Sequence, residues 1–154
     1  MKLHISGEDA EIEIDVICRS HPNCTDYWDG NWITSKIKIE IPGYKAQFNA
    51  DLRTDELRDF ANELKLLDKK LKGNARLFNL DGYLELEGEM NKKGKIYWTV
   101  ETCYPAGIGA VLKFAFGSDQ SYLKRIVKEI ESILSVFPVL GTPNSYRLDK
   151  YQCN

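Results

Sequence analysis

The sequence predicts an α+β fold: a single domain with a mainly antiparallel β-sheet of about seven strands and two amphipathic α-helices packed on it. Three observations support this prediction. Several short runs alternate between apolar and polar residues, two longer runs repeat at the helical period, and the links between successive strands are short enough for hairpins. The chain has 154 residues, enough for one core but too few for two. We therefore expect one domain over residues 1–140 and an extended tail over residues 141–154.

In the first half of the chain, three runs alternate with a period of two residues. The first spans residues 10–18, with isoleucines and a valine on one face and acidic residues on the other. The second and third, residues 33–41 and 44–52, are separated only by Pro42-Gly43, a pair typical of a turn. These runs predict one half-buried strand followed by a β-hairpin.

Two helices are predicted from apolar side chains at helical spacing. The first repeat runs over residues 57–71, where Thr54 is the expected N-cap and Gly73 the expected glycine beyond the C-terminus. The second repeat runs over residues 123–137, with Asp119 as the expected cap. Each helix has one apolar stripe, so both must pack on the sheet.

The second half predicts four further strands. They fall at residues 76–78, 84–90, 95–101 and 112–116, separated by turns rich in Gly, Asn and Asp. The chain order of several strands, a helix, four strands and a helix favours α+β over a parallel α/β fold.

Composition argues against several classes of function. The net charge is -2, from 21 Lys plus Arg and 23 Asp plus Glu, so a basic face for nucleic acid is not expected. No secretory signal opens the chain, and no apolar run approaches the roughly 20 residues of a membrane span. The four cysteines form no C-x-x-C pair. We expect a cytoplasmic protein with reduced thiols that contacts neither membrane nor nucleic acid.

No motif of the sequence predicts catalysis, a metal site or a cofactor. His4 and His21 are the only histidines, and neither has the spacing of a metal-binding pair. The glycine-rich segment at residues 106–109 precedes a strand and not a helix, so it lacks the helix N-terminus that holds a phosphate. We therefore predict a protein that is not an enzyme.

Two predicted strands each carry a row of carboxylates on one face. The rows are Glu85, Glu87 and Glu89, and Glu11, Glu13 and Asp15. Because alternate residues of a strand are roughly 7 Å apart on one face, each row forms a continuous acidic strip. A strip of this kind is either a solvated outer face or an anionic surface for a basic partner.

An aromatic segment precedes the hairpin: Asp26, Tyr27, Trp28, Asp29, Gly30, Asn31 and Trp32. Asp, Gly and Asn favour a tight loop, while the tryptophans need cover. One interpretation is a loop whose tryptophans close one end of the core. The other is an exposed platform for a protein or a carbohydrate.

Several of these motifs together resemble the WapI family of bacterial immunity proteins. They are the segment Asp26-Tyr-Trp-Asp-Gly-Asn-Trp-Ile33 with the hairpin after it, the helix entry at residues 52–57, the acidic strand at residues 82–89 and the final helix from residue 118 to Phe137-Pro138. The resemblance covers roughly residues 3–140. It implies an antidote to a polymorphic, contact-delivered toxin, which binds that toxin's C-terminal domain. The family's namesake toxin is a tRNA nuclease, so neutralisation would mean covering a basic active site.

A protein of this kind must distinguish its own toxin, so a motif that marks the whole family is a poor candidate for specificity. We therefore predict that Glu85, Glu87 and Glu89 contact the partner, with Glu11, Glu13 and Asp15 behind them. The second choice is the aromatic segment, Asp26, Tyr27, Trp28, Asp29 and Trp32. The alternative function is a small-molecule or carbohydrate-binding module that uses Trp28 and Trp32. A monomer is favoured.

Overall fold

The computed structural model describes residues 1–143 and contains two four-stranded antiparallel sheets and two α-helices. The first half of the chain forms the first sheet and then a helix. Its elements are β1 (Lys2–Ser6), β2 (Glu11–Arg19), β3 (Trp32–Ile41), β4 (Tyr44–Arg53) and α1 (Thr54–Lys70). The strands pair in chain order, so the first sheet is a meander.

The second half repeats this order. Its elements are β5 (Gly73–Phe78), β6 (Leu84–Met90), β7 (Lys95–Tyr104), β8 (Ala110–Asp119), a 3-10 turn (Gln120–Tyr122) and α2 (Leu123–Val136). These strands also pair in chain order, in a second sheet. The α+β class and the antiparallel pairing are confirmed.

The prediction of about seven strands is approximately right, since the described residues form eight, but these strands make two sheets and not one. The additional strand is β1, which has only five residues and buries Leu3 and Ile5 against β2. A run this short gives little periodic signal. After α1 the chain does not return to the first sheet, and β5 begins a second one. Beyond its first three residues, the tail predicted at residues 141–154 lies outside the described residues.

The helix ends differ in detail from the prediction. Thr54 is the first residue of α1, and Arg53 is its N-cap. At the other end, Leu71 is the C-cap and adopts the left-handed conformation with φ of 52°, while Gly73, two residues further on, has a positive φ of 108°. Asp119 caps the 3-10 turn before α2, where its carboxylate accepts a hydrogen bond from the Ser121 backbone N–H, as predicted for this position.

Each helix packs beside the first strand of the other half's sheet, and the two helices pack on each other. Glu129 of α2 accepts a hydrogen bond from the backbone N–H of His4 in β1 (2.7 Å). Glu63 of α1 likewise accepts one from the backbone N–H of Arg76 in β5 (2.7 Å). Because each helix packs against the sheet of the other half, both sheets share one cluster of buried apolar side chains. Neither helix of the described chain is long and apolar enough to cross a bilayer.

The second sheet contacts the first half of the chain at two points near the ends of β8. Tyr104, at the end of β7 next to β8, stacks on Phe48 of β4 with ring centroids 5.2 Å apart. At the far end of β8, the Gly117 carbonyl accepts a hydrogen bond from the backbone N–H of Glu8, in the turn between β1 and β2 (3.1 Å). The two sheets therefore pack with their inner faces together, and their outer faces point in different directions.

Candidate protein-binding surface

The outer face of the second sheet carries the first row of predicted contact residues. The register places Glu85 opposite Glu101, Glu87 opposite Thr99, and Glu89 opposite Tyr97. We call Glu85, Glu87, Glu89 and Glu101 the acidic face. Glu101 was missed in the sequence because its position beside Glu85 depends on strand register, although its outward direction could be read from the alternation in β7.

The acidic face holds more negative charge than its neighbours balance. Arg76 forms an ion pair with Glu85. The Lys113 ammonium is 2.8 Å from Glu101. Glu87 accepts a hydrogen bond from the neutral Asn74 side chain (2.8 Å), and Glu89 is exposed without an ion pair to any described residue. Two carboxylates thus remain available to a basic partner.

A shallow groove of about 480 Å³ runs along this face. It is lined in part by Glu85, Glu87, Glu101, Thr99, Lys113 and Ala115. Two aromatic side chains are exposed on the same face, Tyr97 at 58% and Phe78 at 52%. Aromatic side chains beside a charged groove are typical of protein interfaces, where they contribute large contact area.

The second predicted row, on the outer face of the first sheet, is neutralised within that face. Glu13 accepts hydrogen bonds from the ammonium groups of Lys2 (2.9 Å) and Lys38 (3.0 Å), which lower the pKa of its carboxyl to about 2. Asp15 pairs with the N-terminal amine at 3.1 Å. Only Glu11 of this row makes no ion pair with a described residue, so little charge is left for a partner.

His4 also lies on this face, between two carboxylates. One ring nitrogen is 3.4 Å from Glu13 and the other is 3.3 Å from Glu129. Glu13 already binds two lysines, and Glu129 already binds the backbone of β1. His4, Glu13 and Glu129 therefore bind one another and neighbouring groups of the fold at the edge of the first sheet. None of the three is a nucleophile, so their arrangement has a structural explanation.

The aromatic segment folds around the buried side chain of Arg53. The guanidinium carbon lies 5.2 Å from the ring centroid of Tyr27, 5.3 Å from that of Trp28 and 5.1 Å from that of Trp32. Its nitrogens donate to the carbonyls of Tyr27 (2.9 Å) and Trp28 (2.6 Å) and to the carboxylate of Asp55 (3.0 Å). Such cation–π contacts are strongest when desolvated, and Arg53 is only 2% exposed.

Three further polar groups hold this segment in place. The Asn31 side chain donates to the Tyr27 carbonyl (2.8 Å) and accepts from the Thr54 hydroxyl (2.8 Å), so it joins the segment to α1. The Tyr27 hydroxyl donates to Asp55 (2.7 Å), and burial together with this bond raises its pKa. Arg19 donates to the carbonyls of Gly30 and Pro138, beyond α2. The segment therefore joins β3, α1 and the end of α2, which matches the structural interpretation.

The one group of possible metal ligands among the described residues lies in this segment. Ligand atoms of Cys24, Asp26 and Asp29 are all within 4.8 Å of one another. However, Cys24 is disulfide-bonded, so its sulfur is not a thiolate, and Asp26 accepts backbone hydrogen bonds from Trp28 and Asp29. The prediction that all cysteines are reduced thiols is wrong at Cys24, while Cys18 and Cys103 are free. Sequence spacing alone cannot reveal which cysteines meet in the fold.

The described surface is that of a two-sheet α+β protein with one acidic, partly aromatic outer face and one neutralised outer face. The model of the WapI-like immunity protein family matches residues 2–138, nearly the whole chain, so the chain belongs to this family. The family assigns it an immunity function with a toxin protein as partner, and its members are generally not enzymes.

Solved structures of other proteins are similar to this chain at very low sequence identity. WHY3 from Arabidopsis thaliana is 6% identical, with a TM-score of 0.50 over 89% of this chain and 88% of that one. MRP1/MRP2 of Trypanosoma brucei is 9% identical, with a TM-score of 0.46 over 87% of this chain and 81% of that one. A comparison with curated proteins gave no match.

Proposed function

We propose that this protein neutralises its toxin by binding the toxin's C-terminal domain through the acidic face of the second sheet. The single observation that carries the proposal is the unequal pairing of the two acidic rows. Glu13 and Asp15 are bound to basic groups of their own face, whereas Glu87 and Glu89 are not. Only the second sheet offers unbalanced charge beside exposed aromatic rings.

The proposed mechanism is occlusion. A nuclease that acts on tRNA must present a basic, phosphate-binding surface, and an acidic protein face is complementary to it. The carboxylates would compete with the RNA backbone for those basic groups, while Tyr97 and Phe78 would supply apolar contact. No step of this mechanism needs catalysis or a cofactor. It would operate in the cytoplasm of the producing cell, where the toxin meets its substrate.

A pair of charge reversals with a matched control tests this proposal. Glu85 and Glu101 are directly opposed glutamates on neighbouring strands of the second sheet, and Glu11 and Glu40 are directly opposed on neighbouring strands of the first. Glu101 and Glu40 each have a basic partner on the next strand, Lys113 and Lys45, while Glu85 also forms an ion pair with Arg76 and Glu11 forms none with a described residue. The variants E85K/E101K and E11K/E40K therefore make the same change in charge on the two outer faces, and E85K/E101K breaks one ion pair more.

The assay is the growth of cells that co-express each variant with the C-terminal domain of the protein encoded immediately upstream. We expect wild type and E11K/E40K to protect the cells and E85K/E101K to fail, although all three fold to the same helix and sheet content. Protection by E85K/E101K would refute the acidic face as the contact surface. Failure of E11K/E40K alone would move the contact surface to the first sheet.

A further inference from the structure

We propose that the free edge of β8 receives an extended segment of the toxin domain as an added antiparallel strand, next to the acidic face. This inference rests on the proposed function and specifies how the partner is held. Addition of a strand to an open sheet edge supplies affinity through backbone hydrogen bonds and specificity through alternate side chains.

The direction of the backbone groups along β8 follows from one bond. The Gly117 carbonyl accepts from Glu8, outside the second sheet, so the backbone of Gly117 points away from β7. In an antiparallel edge strand, alternate residues point the same way. The backbone N–H and C=O groups of Val111, Lys113 and Ala115 therefore also point outward, and none of them bonds to a described residue.

The other three edges of the two sheets are less suited to strand addition. Glu129 occupies the edge of β1, and Glu63 occupies the edge of β5. The open part of β4 carries Lys45, Gln47 and Asn49, polar side chains of the kind that protect natural edge strands. The open part of β8 reads Ala-Val-Leu-Lys-Phe-Ala, with a single charge. Such an apolar edge is a ready template for another strand.

The surroundings of this edge define the chemistry of the occupant. On the outer side, the groove lined by Glu85, Glu101 and Ala115 borders β8, and a Cβ at Gly117 would meet nothing within 4 Å. Long basic side chains of an added strand can therefore extend over Ala115 and Gly117 towards Glu87 and Glu89, whereas Lys113 lies between the edge and Glu101. On the inner side, Leu112 and Phe114 are only half-buried, and Ile108 in the adjoining loop is 88% exposed. The matching partner is an extended segment that alternates basic and apolar residues.

Hydrogen exchange resolved at single amides tests the added strand in the wild-type protein. The probe is the catalytically inactive C-terminal domain of the protein encoded immediately upstream, mixed in stoichiometric amount. We expect the amides of Val111, Lys113 and Ala115 to exchange at least about 10-fold more slowly in the complex, because each gains a hydrogen bond. The amides of Leu112 and Phe114, already bonded to β7, should change much less.

Three other outcomes of this exchange experiment would each overturn the inference. A complex that forms without protection of these three amides refutes strand addition and leaves the proposed function intact. The absence of any complex refutes the proposed function, and the inference with it. Slower exchange of the same amides on raising the concentration of this protein alone would assign the edge to a second copy.

A proline pair provides the mutational test. Ala115 and Asn49 are each the sixth residue of an edge strand. The Asp51 carbonyl accepts from the Asn79 side chain, outside the first sheet, so the backbone of Asn49, two residues earlier, also points outward, and proline removes no hydrogen bond within either sheet. We expect A115P to weaken binding of the same toxin domain at least about 10-fold and N49P to leave it unchanged. Equal binding by both variants would contradict the inference. If A115P does not fold, the exchange experiment on the wild type decides.

Discussion

The two halves of the molecule have the same order of elements but place their polar groups differently. Arg53 ends β4 before α1, and Asp119 ends β8 before the turn that leads to α2. Arg53 is buried among three aromatic rings, whereas Asp119 is exposed and only caps the turn. The third strand of each half also differs at its buried fourth position. This residue is the small Ser35 in β3 and the large Trp98 in β7.

This difference shows how one architecture can divide its tasks. The first half uses a buried polar network at its strand–helix junction and ion pairs across its outer face. The second half relies on aromatic packing, in which Trp98 contacts Phe116 of β8 and also Phe60 of α1, from the first half. Because Glu87 and Glu89 form no ion pair with a described residue, the second half can present these two outer carboxylates to a partner.

The largest predicted effect is on the free energy of unfolding, and it differs between the strand–helix junctions at Arg53 and at Asp119. Arg53→Met removes the guanidinium and leaves Asp55 buried without its ion pair, so it should lower the free energy of unfolding by about 3–5 kcal/mol. Asp119→Ala removes only an exposed cap and should lower the free energy of unfolding far less. Urea unfolding measures both. Equal losses would contradict the contrast between the halves.

The next effect concerns the packing of Trp98. A Cβ added at Gly88 would lie 2.4 Å from the Trp98 ring, so Gly88→Ala should lower the free energy of unfolding by about 1–3 kcal/mol through overpacking. Gly117 is also a strand glycine of the second sheet, but a Cβ there meets nothing within 4 Å, and Gly117→Ala is the control. A melting temperature of Gly88→Ala no lower than that of the control would contradict this prediction. It would mean that the Trp98 ring can move to accommodate the added methyl group without loss of stability.

The smallest effect is the pH dependence of the first sheet's outer face. The folded pKa of Glu13 is lowered from 4.5 to about 2, so its ion pairs stabilise the fold fully above about pH 4.5 and progressively less as the pH falls towards 2. The melting temperature of Glu13→Gln should lie below that of the wild type above pH 5, and the gap should close between pH 4.5 and 2. Glu89→Gln, which breaks no described ion pair, should show no such gap. A gap independent of pH would assign the stabilisation to something other than charge.

Part of this structure could be predicted from the sequence and part could not. The alternation and the helical repeats located seven of the strands and both helices, because buried faces impose those periods. The burial of Arg53 could not be predicted, since a lone arginine before a helix is ordinarily exposed and its aromatic partners come from a distant loop. The direct opposition of Glu85 and Glu101 depends on register, and the division into two sheets depends on tertiary packing.

The measurement that tests the central claim most directly is the dissociation constant of the inactive upstream-encoded toxin domain for wild type, E85K/E101K and E11K/E40K, determined by calorimetry at two salt concentrations. We expect E85K/E101K to bind on the order of 100-fold more weakly than the wild type, which itself should weaken as salt increases, while E11K/E40K binds like the wild type. Equal affinities of all three proteins, without salt dependence, would contradict the claim that the acidic face of the second sheet recognises the toxin.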